Sequence, residues 1–460
     1  MRNWKGKAVL VIGAARQGLA ATRFLSAMGA NVTLNDGKDR SQFEKSSISL
    51  ESENVRVHFG GHPLTLLDDI DFVCISGGVP LDIPIIQEAN RRNIQLTNDA
   101  QIFLEETRAK VIGITGSAGK TTTTTFIGEI AKTAVQKPAR SWVGGNIGNP
   151  LIEQVKQMSE NDWVVMELSS FQLELMERSP HIALVTNITP NHLDRHKTME
   201  SYISAKANIL IHQTAADIAI LNRDDANAYA LRSNVQGELI TFGCQEISSQ
   251  NPDMFIEDDS IKYFDGKKSL TITKTEEINL PGTHNIINAM AACAAGLAAG
   301  YSFEDIRIGI RNVANIPHRL ELVAENNHIR WINDSIATAP ERVIAALNAI
   351  EGPLVLLLGG RDKDLPWDEL AHLIAHRKPK LVLFGECGKM IENILRKEKY
   401  LGKRYSIDRF NKFEDAVIHA EKIAEPGESI LLSPGGTSYD AFIDFEERGN
   451  LFIELAKKVA

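Results

Sequence analysis

The chain has few cysteines, no long apolar run and no excess of positive charge. Its four cysteines, Cys74, Cys244, Cys293 and Cys387, lie far apart without C-x-x-C spacing, which indicates buried thiols in a reducing compartment, not disulfides or a zinc site. No stretch of about 18 apolar residues predicts a membrane helix, and no secretory signal is recognisable. The net charge of −9 argues against nucleic-acid binding. We therefore expect a cytoplasmic protein with no membrane or nucleic-acid partner. A monomer is expected as well, although no feature of the sequence decides the oligomeric state.

A glycine-rich stretch from Gly113 to Thr122 organises the rest of the sequence. It follows an apolar strand at 110–114 and precedes a helix, and from Gly116 it reads G-x-x-G-K-T. Backbone amides of such a loop bind phosphate oxygens, the lysine reaches the terminal phosphates, and the hydroxyl after it can bind Mg²⁺. The pattern predicts ATP binding by Gly116, Ser117, Ala118, Gly119, Lys120, Thr121 and Thr122.

The start of the chain has a second glycine turn, at 13–18, between two predicted strands. Ala15 occupies the place of the middle glycine in the dinucleotide fingerprint, so its methyl group makes an NAD site doubtful. The phosphate of a nucleotide sugar still fits the same helix start, with Asp36 near the ribose or base. The alternative is that this βαβ unit is purely structural and binds no ligand.

Polar side chains recur at the ends of the later strands. Asn146 lies in a glycine turn, Glu167 ends a strand and suits Mg²⁺, and His192 lies in the loop after the next strand. Asn285 and Asn288 share one face of a helix start, where their amides could contact a purine. The spacing of Lys206, in contrast, indicates only a solvated helix face. Because parallel strands end at one edge, we expect these loops to converge.

A repeated βα rhythm over 460 residues predicts three α/β domains in series. The first, at 1–98, is expected to be Rossmann-like. The second, at 99–315, is expected to be a P-loop ATPase-like domain with a mostly parallel sheet. The third, at 316–460, is expected to be a Rossmann-like α/β domain.

Ten motifs in order along nearly the whole chain resemble the Mur ligases, the ATP-dependent amide-forming enzymes of peptidoglycan synthesis. They are TGSAGKTT, GGNIG, ELSSFQL, NHLDRH, YISAK, GTHNIIN, PHRLE, NDSIAT, LLGGRDK and SYDAFIDFEERG. ELSSFQL, NDS and the final motif are most similar to the branch that adds D-glutamate to UDP-N-acetylmuramoyl-L-alanine. The resemblance implies an ADP-forming ligase with those two substrates, ATP and Mg²⁺.

The resemblance also implies roles for single residues. Lys120, His192 and Lys206 would be catalytic, and the two Mg²⁺ ions would be held by Thr121, Glu167, His192 and Lys206, the last as a carbamate. Further ATP contacts would come from Asn285, Asn288, Arg319 and Asp334. The first domain would bind the uridine nucleotide, and the UDP-sugar would be bound by Ala15, Arg16, Asp36, Gly78, Asn146 and His192. The third domain would bind the amino acid, which would be surrounded by Thr338, Lys363, Ser438 and Phe445.

Two positions depart from the family pattern. Ala118 removes a polar side chain from the phosphate loop, and Ile336 stands where many D-glutamate ligases have lysine. Lys363 and Arg361 are the cations that could compensate for the missing lysine. A Mur-type ligase for another amino acid, L-glutamate included, and a folylpolyglutamate-like ligase therefore stay open. A P-loop switch protein and a Rossmann oxidoreductase are rivals from other classes.

Overall fold

The structure is a computed structural model and describes residues 2–40, 55–148, 150–245, 252–280, 282–397, 400–401 and 405–459. The chain folds into two units, Met1–Ala314 and Asn315–Ala460. The first unit contains two sheets and the second contains one. Among the described residues, none of the helices combines the length and the apolar character that crossing a bilayer would require.

The first sheet has five parallel strands in the order β3-β2-β1-β4-β5. Its strands are β1 Ala8–Ile12, β2 Asn31–Asp36, β3 Val55–Phe59, β4 Phe72–Ile75 and β5 Gln95–Thr97, and its helices are α1 Arg16–Ala27 and α2 Pro84–Arg91. The strand order reverses between β1 and β4, which is where ligands bind in open α/β sheets. Here the turn after β1 approaches the turn after β4 so closely that a Cβ on Gly13 would lie 2.8 Å from the Ser76 Cβ.

The second sheet has nine strands in the order β14-β13-β12-β11-β10-β9-β6-β8-β7, parallel from β7 to β12 and antiparallel in the final β12-β13-β14 meander. Its strands are β6 Lys110–Thr115, β7 Ser141–Gly145, β8 Trp163–Glu167, β9 Ile182–Val185, β10 Ile218–Asn222, β11 Glu238–Phe242, β12 Asp253–Glu257, β13 Ser260–Phe264 and β14 Ser269–Lys274. The helices are α3 Asp99–Glu106, α4 Lys120–Ala134, α5 Ser170–Leu173, α6 Leu193–His196, α7 Met199–Ile211, α8 Ala226–Ala230, α9 Thr283–Ala298 and α10 Phe303–Asn312. The alanine-rich α9 is buried along most of its length, because small side chains let it pack closely against α4.

The third sheet has six strands in the order β15-β16-β20-β17-β18-β19, all parallel except the β15–β16 pair. Its strands are β15 Glu321–Asn326, β16 Ile329–Asn333, β17 Leu354–Gly359, β18 Lys380–Phe384, β19 Ile407–Phe410 and β20 Ser429–Gly435. The helices are α11 Pro340–Ala349, α12 Asp368–Arg377, α13 Gly388–Leu395, α14 Phe413–Ile423 and α15 Phe445–Val459. The central strands are buried on both faces, as the continuous apolar run of β17 predicts.

The predicted fold class, three α/β domains with mostly parallel sheets, is confirmed. The domain boundaries at 98/99 and 315/316 stay predictions. Cys74, Cys293 and Cys387 are buried as expected and all four thiols are free, whereas Cys244 is only partly buried. The expectation of a buried thiol is therefore wrong for Cys244, which follows β11 in a surface turn.

Candidate active site

The phosphate loop connects β6 to α4, and Lys120 is the first residue of that helix. Gly119 precedes it in the left-handed conformation, with φ of 81°, and a Cβ there would lie 2.3 Å from the Asn288 Oδ1. Only glycine fits this position without displacing its neighbour. The Lys120 Nζ donates to the carbonyls of Gly116 and Ser117 at 2.9 and 3.4 Å, so the ammonium group lies over the loop.

Hydrogen bonds hold the phosphate loop against the segment after β9. The backbone N–H groups of Ser117 and Ala118 donate to the carbonyl and side-chain oxygens of Asn187, at 2.9 and 2.8 Å. The Asn187 side chain donates back to the Ala118 carbonyl at 3.0 Å, and Thr186 donates to the same carbonyl at 2.7 Å. Two of the amides predicted to bind phosphate are therefore engaged by Asn187 in this structure. The sequence analysis missed Asn187, although its position two residues after a buried strand was a usable signal.

The predicted metal ligands Thr121 and Glu167 lie side by side. Glu167 ends β8 and its side chain is buried, while the Thr121 hydroxyl donates to its Oε2 at 2.9 Å. The Asn146 side chain donates to Oε1, also at 2.9 Å, and the Asn146 N–H donates to the Glu167 carbonyl. A carboxylate and a hydroxyl beside a phosphate loop are hard oxygen donors that suit Mg²⁺. The same contacts show that Asn146, predicted to contact the sugar, is bonded to Glu167.

Lys206 is buried, and the expectation from its helical spacing, a solvated lysine, is wrong. Only 1% of its side chain is exposed because α7 packs this face towards β6. Its Nζ donates to the Gly116 carbonyl at 2.9 Å and to the Thr115 Oγ1 at 3.3 Å. Burial holds the pKa of Lys206 well below its usual range, Lys120 lowers it further, and Glu167 raises it. Helical periodicity could not reveal this, since the packing partner is set by the tertiary fold.

The two histidines of the loop after β9 differ in their surroundings. His192 is exposed, has a left-handed backbone with φ of 54°, and meets the Phe171 ring edge-on at 5.1 Å. His196 is buried, stacks on Phe171 at 5.2 Å, and lies 2.9 Å from the Ser170 Oγ. Within the described ranges, no group of three or more His, Cys, Asp or Glu side chains could hold a metal ion by itself.

Asn285 and Asn288 lie together near the start of α9. The Asn288 Nδ2 donates to the Asn285 Oδ1 at 3.4 Å, and the Thr123 hydroxyl donates to the Asn288 Oδ1 at 3.4 Å. The N-cap of this helix is Gly282, so capping does not explain Asn285. These contacts place both amides beside the start of α4, next to the phosphate loop.

In the first sheet, Asp36 closes the glycine turn after β1. Its Oδ2 accepts from the Ala14 N–H at 2.8 Å and its Oδ1 accepts from the Lys38 N–H at 2.9 Å. Ala15 caps α1 through its backbone and Arg16 is the first residue of that helix. The Gly78 carbonyl accepts from the Arg195 Nη1 at 3.3 Å. The predicted nucleotide residues thus line the carboxyl edge, where the turns after β1, β2 and β4 meet.

In the second unit, Asp334 follows β16 and is 4% exposed. Its Oδ2 accepts from the Ser433 hydroxyl at 2.8 Å and its Oδ1 from the Leu320 N–H at 3.3 Å. Burial raises the pKa of Asp334 to about 7, against the opposing effects of the Ser433 hydrogen bond and of the Arg319 charge. Arg319 and Asp334, both predicted to contact ATP, are therefore electrostatic neighbours.

The residues predicted to surround the amino acid fall into two groups. The Lys363 Nζ donates to the Thr338 Oγ1 at 3.4 Å, which joins the loops after β17 and β16. Ser438, in the loop after β20, is buried, and its carbonyl accepts from the Phe442 N–H at 2.9 Å. The described residues show no direct hydrogen bond between Ser438 and Thr338.

Arg448 connects these loops and was missed by the sequence analysis. This arginine is fully buried in α15, and burial lowers its pKa to about 10. It donates to the Ser335 Oγ at 3.0 Å, to the Ser335 carbonyl at 2.8 Å and to the Gly436 carbonyl at 3.2 Å. Ser335 in turn donates to the Phe445 carbonyl at 2.8 Å. Arg448 therefore fixes the loops after β16 and β20 and the start of α15 in one arrangement.

Three family models match consecutive parts of the chain. They are described as "Mur ligase MurD-like, N-terminal domain" at residues 7–98, "Mur ligase middle domain" at 114–296, and "Mur ligase, glutamate ligase domain" at 318–436.

Relatives align with this chain over nearly their full length. A protein of Symbiobacterium thermophilum named UDP-N-acetylmuramoylalanine--D-glutamate ligase is 39% identical over 450 residues, covering 98% of each chain. One of the same name from Pelotomaculum thermopropionicum is 37% identical, covering 99% of this chain and 98% of the relative. Among solved structures, UDP-N-acetylmuramate-alanine ligase from Thermotoga maritima has a TM-score of 0.57 at 18% identity, covering 99% of this chain and 100% of that one. That structure supports the fold alone.

Proposed function

The chain belongs to the Mur ligase family, and we propose that it joins D-glutamate to UDP-N-acetylmuramoyl-L-alanine while ATP is converted to ADP and phosphate. The name that relatives at 35–39% identity share over at least 97% of this chain supports the substrates. One structural observation carries the chemistry: the phosphate loop lies beside the paired Thr121 and Glu167 side chains, 2.9 Å apart. This is the arrangement that ATP-dependent phosphoryl transfer needs.

The reaction has to activate a carboxylate, which is inert towards amines because oxide is a poor leaving group. An oxygen of the muramoyl-alanine carboxylate attacks the γ-phosphorus of ATP, ADP leaves, and an acyl phosphate forms. The glutamate amine then attacks the acyl carbon, and the tetrahedral intermediate expels phosphate and loses a proton. The enzyme contributes mainly position and charge neutralisation.

Lys120 has the place of the cation that neutralises the transferred phosphoryl group. It starts α4, so its charge adds to the positive end of the helix dipole. Its Nζ donates to the carbonyl oxygens of Gly116 and Ser117, which places the ammonium group at the loop proposed to bind the phosphates.

Thr121 and Glu167 fit one Mg²⁺, which prefers oxygen ligands and takes few of them from protein when a substrate supplies phosphate oxygens. When bound, the ion would neutralise the charge that develops on the phosphate oxygens. Glu167 would supply the anionic ligand, and Asn146 would orient it through the hydrogen bond to its Oε1. A second Mg²⁺, with His192 and Lys206 among its ligands, is proposed on the family resemblance.

The second ion requires Lys206 to become an anion, and the surroundings of its amine support a carbamate. Two lysines, 120 and 206, donate to the same Gly116 carbonyl at 2.9 Å, so two ammonium groups there would repel each other. The depressed pKa of Lys206 favours the neutral amine, which is the form that attacks CO₂. A nitrogen–carbon bond forms, one proton leaves, and the side chain becomes a carboxylate-like ligand.

The carbamate predicts that Lys206→Ala abolishes turnover and that short carboxylates partly restore it. In wild-type enzyme, ¹³CO₂ should give a carbamate carbon signal that the variant lacks. Wild-type turnover by Lys206→Ala, without any change in the Mg²⁺ requirement, would contradict the carbamate.

The two substrates are assigned to different parts of the chain. We propose that the uridine nucleotide contacts the carboxyl edge of the first sheet, near Ala15, Arg16, Asp36 and Gly78. The amino acid is assigned to the third sheet, near Thr338, Lys363, Ser438 and Phe445. A dicarboxylate needs cationic and hydroxyl donors, and the Lys363–Thr338 pair supplies one of each.

The function is tested by phosphate release and product mass with ATP, Mg²⁺ and UDP-N-acetylmuramoyl-L-alanine against a panel of D- and L-amino acids. D-glutamate should be used in preference to L-glutamate. Preference for another amino acid would support an amide ligase but contradict D-glutamate as its substrate. ATP hydrolysis independent of any amine would favour a P-loop switch. The monomeric state and cytoplasmic location remain predictions, and light scattering with and without substrates tests the first.

A further inference from the structure

If the loop between β16 and α11 binds an anionic substrate, a cation must lie close to it. Ile336, at its centre, is apolar and buried, so this position contributes no cation. Arg361, one candidate to compensate, makes two hydrogen bonds to Glu386, at 2.8 and 2.9 Å. A bidentate pair of this kind neutralises the guanidinium, so Arg361 does not supply the missing charge.

Another arginine reaches the same loop from the helix that follows. Arg342 lies in the first turn of α11, and its Nη1 donates to the Ile336 carbonyl at 3.2 Å. The Thr338 N–H donates to that same carbonyl at 2.9 Å. The guanidinium of Arg342 is therefore placed beside the backbone of Thr338, while the hydroxyl of Thr338 accepts from Lys363. Two cations thus flank one threonine.

The charge of Arg342 is not neutralised by an acid. In the ranges that the structure describes, its side chain forms no ion pair, and the Ile336 carbonyl is its one hydrogen-bond acceptor. Its field reaches the buried Asp334 carboxyl, but both Asp334 oxygens accept from Ser433 and Leu320 instead. A guanidinium has five N–H donors, so most of those on Arg342 remain for another acceptor.

The local fold does not require an arginine at this position. The positive end of the helix dipole lies at the first turn of α11, where a cation is unfavourable and an acid such as Glu341 is favoured. A methionine would fill similar space along the half-buried stem. An anionic ligand bound at this loop therefore explains the charge of Arg342 better than a structural role does.

We propose that Arg342 is a substrate-binding residue that, together with Lys363, recognises a carboxylate of the amino-acid substrate. The inference rests on the proposed D-glutamate ligase activity. It makes the isoleucine at 336 compatible with a dicarboxylate, because the cation comes from α11 instead of from the loop itself. The planar fork of arginine suits a carboxylate better than the point charge of lysine does.

The test compares Arg342→Met with Arg330→Met, a control at the exposed amino end of β16. Arg342→Met should raise the KM for D-glutamate about 10- to 150-fold, as expected for a lost charge-assisted hydrogen bond. The KM values for ATP and UDP-N-acetylmuramoyl-L-alanine should change less than about twofold. Arg342→Lys should recover part of the loss, because it keeps the charge without the fork. Arg330→Met should match the wild type.

An unchanged KM for D-glutamate in Arg342→Met would overturn the proposal. So would an equal rise of all three KM values with a lowered melting temperature, since that pattern indicates a structural tie between the loop and α11. If the wild-type enzyme itself does not use D-glutamate, the proposed function fails, which is a different result from either of these.

Discussion

Replacing Glu167 by glutamine isolates the charge of the proposed metal ligand. The carboxylate accepts from Asn146 at one oxygen and from Thr121 at the other, both at 2.9 Å. A glutamine can keep both contacts, with its oxygen facing Asn146 and its NH₂ donating to the Thr121 hydroxyl. The fold should therefore tolerate the change.

The affinity for Mg²⁺, in contrast, should fall, for two reasons. The negative charge is lost, and the new NH₂ donor occupies an oxygen lone pair of Thr121 that Mg²⁺ would need. One charged interaction is worth about 1.5–3 kcal/mol, so the apparent Mg²⁺ affinity should fall about 10- to 150-fold. The combined loss lies towards the upper end of that range.

The assay is phosphate release at saturating substrates over a Mg²⁺ titration, with the melting temperature measured in parallel. Glu160→Gln, an exposed acid in the turn before β8, is the matched control and should follow the wild-type curve. A Glu167→Gln enzyme with wild-type Mg²⁺ dependence would refute the metal assignment. A large fall in melting temperature would refute the structural argument that the amide is accommodated.

Three further changes test other parts of the chain. Lys120→Met should lower turnover by at least about 100-fold in phosphate-release assays, with unchanged circular dichroism, because the transferred phosphoryl group loses its cation. Gly119→Ala should raise the KM for ATP about tenfold or more, since the left-handed backbone and the 2.3 Å approach to the Asn288 Oδ1 leave no room for a methyl group. Asp334→Asn should remove a pH dependence of stability. Its carboxyl keeps a proton in the folded protein up to a pKa of about 7, against 3.8 unfolded, so wild-type stability falls by about 4 kcal/mol as pH rises through that window. Urea unfolding at pH 4 to 7 should show a flatter profile for the variant.

Much of the fold could be predicted because the strands are short apolar runs bounded by glycine turns. Apolar periodicity and the polar residues at the ends of strands and starts of helices also predicted the phosphate loop, Glu167 and the Asn285–Asn288 pair. The structure places Thr121, Glu167 and Asn146 in direct contact. Sequence spacing could not show that Asn146 is bonded to the acid.

The remaining features depend on contacts between segments far apart in sequence. Lys206 has the spacing of a surface lysine and is buried because α7 packs against β6. Arg448 is 113 residues from Ser335, to which it donates two hydrogen bonds. The pairing of Arg361 with Glu386 spans 25 residues and two loops. Side-chain direction in such cases is decided by tertiary packing, not by local pattern.

The acyl phosphate is the central claim, and oxygen transfer tests it most directly. UDP-N-acetylmuramoyl-L-alanine labelled with ¹⁸O in both carboxylate oxygens is incubated with enzyme, ATP, Mg²⁺ and D-glutamate. If the carboxylate attacks ATP, the bridging oxygen leaves with phosphate, so the phosphate should carry one ¹⁸O and the amide product should retain one. Unlabelled phosphate, formed together with the amide product, would contradict an acyl-phosphate ligase.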